Sequence, residues 1–326
     1  MTGIRRRDVV AGAAATLILI ASRARAQDAW PTRPVHFIVP LAPGGGLDFI
    51  ARQVGDVLSR TLGQQMVVEN RTGAGGTLGM DLAMKSEADG YTVLITNDNA
   101  ASSPHIMNLS YDYTKVLLPV CFLGRQSQAL AVHSSLGVKT VAELVEYTKT
   151  HPGLGFATSG AGSNQHVLGE WFKREAGVKI DHVPYRGAGQ AINDLIAAHV
   201  PMGFLGSTAL KPHADTGTLR LLAQSNAVRA PALKDVPTFV EAGFKGLVLE
   251  PWFAAFVPKG TPQPIIARLN REMNNALKDA KLIENCNKNG IEIGGGSEEE
   301  LGKIAQADSA KYAKLVKELG IKVGSN

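Results

Sequence analysis

The sequence predicts an α/β protein of two lobes, with a ligand cleft between two mostly parallel sheets, and three observations carry that expectation. Strand-like and helix-like segments alternate along the chain, separated by short turns rich in Gly and Asp. Two stretches, residues 35–52 and 154–175, each read as strand, glycine loop and helix. About 300 residues remain after an N-terminal export segment, too many for one ordinary core and suited to two of moderate size.

Residues 1–26 have the three parts of an export signal. Arg5-Arg6-Arg7 is the charged start, residues 9–20 the apolar middle, and Ala24-Arg25-Ala26 an A-x-A cleavage site before Gln27. The apolar part is too short for a permanent membrane span, so a secreted, soluble mature chain is expected. The paired arginines before Asp8 resemble a twin-arginine signal, and Sec signals share the pattern, so both routes fit. No cysteine stands at the cleavage point, which argues against a lipid anchor.

The signal also carries the basicity. Arg5, Arg6, Arg7, Arg23 and Arg25 against Asp8 give +4 of the net +5, leaving 5 − 4 = +1 for the mature chain. With so little net charge and 6% aromatic residues, nucleic-acid binding loses its usual footprint.

The opening unit runs from strand Val35 to Val39 through Pro40-Leu41-Ala42-Pro43-Gly44-Gly45-Gly46 into apolar residues Leu47, Ile50, Ala51, Val54, Val57 and Leu58 at helical spacing. A strand at residues 66–70 follows, then a Gly-rich loop 71–76, a helix from Thr77 to about Ser86, the turn Asp89-Gly90 and a strand at 91–96. Residues 116–123 form an apolar run. The second series has Leu130-Ala131-Val132, a helix at 141–150, a strand at 154–158, the loop Ser159-Gly160-Ala161-Gly162 and a helix at 163–175. It continues with a strand at 180–183, the loop 184–189, a helix at 190–198 and strands at 202–205 and 219–223. Residues 248–257 are apolar around Pro251, and two helices, 262–278 and 298–319, end the chain. Having no strands of their own, these helices must return to the earlier sheet. The expected division is therefore 27–126 with 250–326 as the first domain and 127–249 as the second, joined by a hinge of two crossings.

The loop at Pro43, Gly44 and Gly45 leaves helix-start N–H groups without partners, on which an anion docks. Equally, the glycines make only a tight turn and Asp48 caps the helix. If both glycine loops face one cleft beyond the strand ends, a carboxylate there meets amides from either side. Dinucleotide binding is disfavoured, because Leu78 and Gln165 stand where each G-x-G-x-x-G needs its last glycine. The eight histidines lack metal-ligand spacing, so neither metal nor cofactor is expected. Cys121 and Cys286 could pair or stay as buried thiols.

Ser163, His166 and Asp48 would suit a secreted hydrolase, yet no G-x-S-x-G elbow is present. Otherwise Ser163 is an N-cap and His166 a donor lining the cleft. Tyr185 could wall the cleft and reach a ligand with its hydroxyl, or sit at a core edge, whereas Arg186 invites a salt bridge to a carboxylate but, as an exposed loop arginine, is more often simply solvated.

Taken in order, these motifs resemble the Bug-type solute-binding proteins that serve tripartite tricarboxylate transporters. The matching pieces are Val39-Pro40, Ala42-Pro43-Gly44-Gly45 with Asp48, Glu69-Asn70-Arg71, Gly73-Ala74-Gly75-Gly76, Asp89-Gly90-Tyr91-Thr92, His151-Pro152-Gly153, Ser159-Gly160-Ala161-Gly162-Ser163 with His166, Val183-Pro184-Tyr185-Arg186-Gly187 and Gly260-Thr261-Pro262. The resemblance implies a type II periplasmic-binding-protein fold closing over a small carboxylate, without catalysis, as a monomer that delivers its ligand to membrane transporter subunits. It carries a binding role onto Pro43, Gly44, Gly45, Asp48, Ser159, Gly160, Ala161, Gly162, Ser163, His166 and Tyr185. Relatives commonly have an acidic residue beside the strand at 201–206, where this chain has Pro201 and Leu205, so an amino-acid ligand is not favoured. Gly189 also replaces a common proline. Dicarboxylates, tricarboxylates and aromatic carboxylates all fit, with Phe204, Leu205 and Trp252 tilting towards an apolar part. A ligand sensor for a membrane kinase is the third reading beside receptor and hydrolase.

Overall fold

A computed structural model describes residues 30–321; the expected export signal lies outside them. The chain begins β1 (Val35–Val39), α1 (Gly46–Leu62), β2 (Met66–Asn70), α2 (Thr77–Met84), β3 (Thr92–Asn97), α3 (Asn99–Ile106), α4 (Tyr113–Val116) and β4 (Leu117–Gln126). It continues β5 (Gln128–His133), α5 (Val141–Thr150), β6 (Leu154–Thr158), α6 (Asn164–Ala176), β7 (Ile180–Pro184), α7 (Ala188–Ile196), β8 (Met202–Gly206), α8 (Ser207–Asp215) and β9 (Leu219–Gln224). It ends β10 (Trp252–Pro258), α9 (Gln263–Ala276), α10 (Ala280–Lys288), β11 (Ile291–Ile293) and α11 (Glu298–Leu319).

Local chemistry explains the elements that position the cleft. The β-branched and aromatic residues of β1 are almost all buried. The apolar residues of α1 recur on one buried face, and the helix stops at Gly63 in the left-handed conformation. The last helix, α11, opens with a capping box between Ser297 and Glu300.

The strands form a six-stranded sheet, β11-β4-β10-β3-β1-β2, and a five-stranded sheet, β7-β6-β8-β5-β9. This is the expected α/β architecture of two lobes, but the sheets are mixed and not mostly parallel. β1 runs parallel to β2 and β3, and β6 runs parallel to β7 and β8. The antiparallel pairs involve β4, β5, β10 and β11. The physical reason is the double crossing: β4 leaves the first sheet beside β10, which re-enters it, so the two run in opposite directions. Where they meet, the Gln126 N–H donates to Pro251 O at 3.2 Å.

The final helices do return to the first sheet, where α9 and α11 pack on β4. Between them lie α10 and β11, nine and three residues long, which the sequence reading did not single out. Helices α3 and α8 were likewise hidden, each containing a proline, Pro104 and Pro212. One apolar cluster fills a face of the first lobe with Phe37, Ile50 and Leu269. A second runs continuously from Leu94 and Trp252 to Phe204 and Phe239 and so spans both lobes. Cys121 and Cys286 are free thiols buried in the first of these clusters, and burial pushes them up to about 12 and about 11. Among the described residues no helix is long and apolar enough to cross a membrane.

Candidate functional site

Several helices begin at the boundary between the lobes, and three of them lack a side-chain cap. α5, α6, α10 and α11 start at Thr140, Ser163, Asp279 and Ser297, each accepting an N–H bond with its side chain. By contrast α1, α7 and α8 start at Gly45, Gly187 and Gly206, none of which supplies a side-chain cap. Residues from all three starts, Gly45 to Leu47, Ala188, and Gly206 with Ala209, line a chamber of about 30 Å³. Its wall contains no ionisable side chain.

Amide side chains complete that chamber. Gln165 accepts from Ser159 N–H at 2.8 Å and donates to Gln128 Oε1 at 3.1 Å, which leaves Gln128 Nε2 as a donor. Thr208 donates to Gln126 Oε1 at 2.9 Å, leaving Gln126 Nε2 as another. These amide orientations follow from the bonding network. The close approach of Gln126 requires glycine opposite it: a Cβ on Gly206 would lie 2.4 Å from Gln126 Nε2.

A larger cavity of about 510 Å³ adjoins the chamber, sharing Leu41 and Ser159 in its wall. The first lobe contributes Pro40 and residues 72–76, and the second contributes Ser159 to Ala161 and Pro184 to Arg186. Met107 closes one side. The lobes touch here, since a Cβ on Gly75 would lie 2.7 Å from Ala161 O. The loop at 42–45 meets Gly187 to Gly189 instead: a Cβ on Gly187 would lie 2.5 Å from Ala42 Cβ.

The candidate residues therefore divide. Gly45 and Ser159 line the inner chamber, Ser159 also lines the outer cavity, and Gly160, Ala161 and Tyr185 line the outer cavity alone. Pro43 and Gly44 are exposed and line neither. Asp48 is buried and accepts from Arg52 Nη2 at 2.9 Å, Asn70 Nδ2 at 3.0 Å and Gly44 N–H at 3.3 Å. Burial raises its pKa, yet these bonds outweigh it and hold the carboxyl below its ordinary value. Asp48 thus braces the first loop from beneath and is not a side-chain cap.

The second loop is braced similarly by Gly162, Ser163 and His166. Ser163 Oγ donates to Gly160 O at 2.7 Å and accepts from His166 N–H at 3.2 Å, the bonding of an N-cap. His166 Nδ1 accepts from Gly162 N–H at 3.3 Å, and its ring stacks on His182 at 3.9 Å. Burial, aided by the Lys173 charge, lowers its pKa to about 4. The expected nucleophile Ser163 and the His166 Nδ1 are both spent on the loop backbone and not on one another, and His166 lines neither cavity.

Two further expectations are corrected. Tyr185 lines the outer cavity, but its hydroxyl donates to Asp194 within the second lobe at 2.7 Å. Phe204, Leu205 and Trp252 are buried in the cores and line neither cavity. Residues the sequence reading missed are Asn97, Gln126, Gln128 and Gln165 in the chamber and Thr72 and Met107 outside it, while Arg186, weighed there as the less favoured ligand contact, lines the outer cavity. Asn97, Gln126 and Gln128 lie at strand ends, Thr72 in a glycine loop, and Gln165 and Met107 at a helix start and a helix end, positions that carry no strong sequence signal.

A family model described as the tripartite tricarboxylate transporter family receptor, TctC, matches residues 50–321. The chain belongs to this family. Among curated relatives of this tripartite tricarboxylate transporter receptor, Protein BugT of Bordetella pertussis is 34% identical over 300 residues, covering 91% of this chain and 92% of its own. An R. palustris protein solved with adipate is 34% identical with a TM-score of 0.86, covering 90% of this chain and 99% of that one. MatC from Rhodopseudomonas palustris, solved with bound malate, is 28% identical with a TM-score of 0.84, covering 88% and 100%. The family is a class of solute-binding receptors.

Proposed function

We propose that this receptor is exported to the periplasm, captures a small carboxylate between its lobes and presents it to the membrane subunits of a transporter. The observation that carries the reading is the convergence on one uncharged chamber of three helix starts without side-chain caps. Such starts offer N–H donors and partial positive charge to an anion. A carboxylate seated at Gly45 and Ser159 would bond both lobes and favour the closed form by its extra affinity for that form. Pro43, Gly44, Asp48, Gly162, Ser163 and His166 would shape the two loops, while Gly160, Ala161 and Tyr185 wall the ligand's outer part. Malate and adipate, bound by the two structural neighbours, are the first candidates.

The test is a thermal-shift screen of carboxylic acids followed by calorimetry and recovery of the ligand. A melting temperature that rises with concentration of one acid, returned intact, is the expected result. Failure of every carboxylate to shift the melting temperature, or recovery of a hydrolysed product, would overturn the proposal.

A further inference from the structure

We propose that Arg186 is a specificity-determining residue that pairs with a second anionic group at the far end of the ligand, an inference that rests on the carboxylate-capture reading above. The inner chamber has no ionised wall and recognises one carboxylate through amides alone. The outer cavity shares Leu41 and Ser159 with it, and Arg186 is the one charged residue lining that cavity. Among the described residues no carboxylate forms an ion pair with Arg186. Asp194, the acid in the neighbouring helix α7, is taken by Tyr185 at 2.7 Å and faces His199.

The rest of the outer wall is uncharged and includes residues 72–76 and the apolar Pro40, Leu41 and Met107. That combination, amide donors in the chamber with an apolar wall and a single arginine in the outer cavity, suits an acid with a carboxylate at each end of a short methylene chain. The planar fork of arginine binds such a carboxylate with two parallel N–H bonds, which a lysine point charge cannot reproduce. The Arg186 backbone is itself held, its N–H donating to Gln190 Oε1 at 3.3 Å.

The experiment is calorimetry of the mature chain with α,ω-dicarboxylates from malonate to suberate, each against its monoamide. Wild-type protein should prefer the best dicarboxylate to its monoamide by about tenfold or more, the worth of a charge-assisted bond. Arg186→Gln should abolish that preference by weakening the dicarboxylate alone, and Arg186→Lys should restore part of it. Arg186 is exposed, so the fold should survive both changes, as checked by thermal unfolding. A preference that persists in Arg186→Gln, or an equal loss for both ligands, overturns the role of Arg186 while leaving carboxylate capture standing. Wild-type protein that binds neither diacids nor monoamides overturns both.

Discussion

The Asn164 side-chain amide in one lobe donates to the Asp98 carboxylate in the other, at a point almost closed to solvent. The Asn164 N–H adds a bond to Asn99 Oδ1 at 3.1 Å, and Tyr312 donates to the second Asp98 oxygen. Burial pushes the Asp98 pKa up to about 7; Asp308 adds to the rise, and the Tyr312 and Asn164 bonds oppose it. Because the folded pKa lies above the ordinary 3.8, the folded state holds this proton more tightly than the unfolded chain. The stabilising share of Asp98 is therefore full at about pH 4, falls as pH rises to about 7 and stays flat above. Thermal unfolding across that range should show Asp98→Asn gaining stability relative to wild type as pH rises. Parallel curves would contradict the assignment.

Asp48→Ala should weaken ligand binding while preserving the fold. It removes the common acceptor of Arg52, Asn70 and Gly44 N–H, and an orphaned polar partner costs about 1–3 kcal/mol. Calorimetry and unfolding should register a lower affinity and a modest loss of stability; an unchanged affinity would exclude the bracing role.

Gly75→Ala should act on closure. The residue has φ +65° and faces Ala161 O across the cleft, so a methyl group meets both the left-handed backbone cost, about 1–2 kcal/mol, and a lobe-to-lobe clash. Small-angle scattering should find the variant more open in saturating ligand, with affinity reduced at least tenfold. Full closure at wild-type affinity would refute the contact.

Ser163→Ala should cost about 1 kcal/mol of stability through the lost N-cap, because Ser163 caps α6 by accepting from His166 N–H. Wild type and variant should both return the bound acid unaltered, as followed by NMR. Turnover in wild type lost in the variant would restore the hydrolase reading.

What the sequence determined by itself was local. Apolar spacing along α1 and the Ser163 cap of α6 place those helices, because periodicity and capping depend on residues three or four apart. The turn at Gly44 and Gly45 was legible for the same reason, and the ordered motifs identified the family. Strand direction was not, since β4 and β10 lie side by side only after the chain has crossed to the second lobe and back. Nor were the chamber's Gln126, Gln128 and Gln165, the Tyr185 hydroxyl's turn to Asp194, or the place of Arg186 in the outer wall. Those were decided by tertiary structure alone, because which face of a loop meets the cleft depends on how two sheets built from distant segments approach each other.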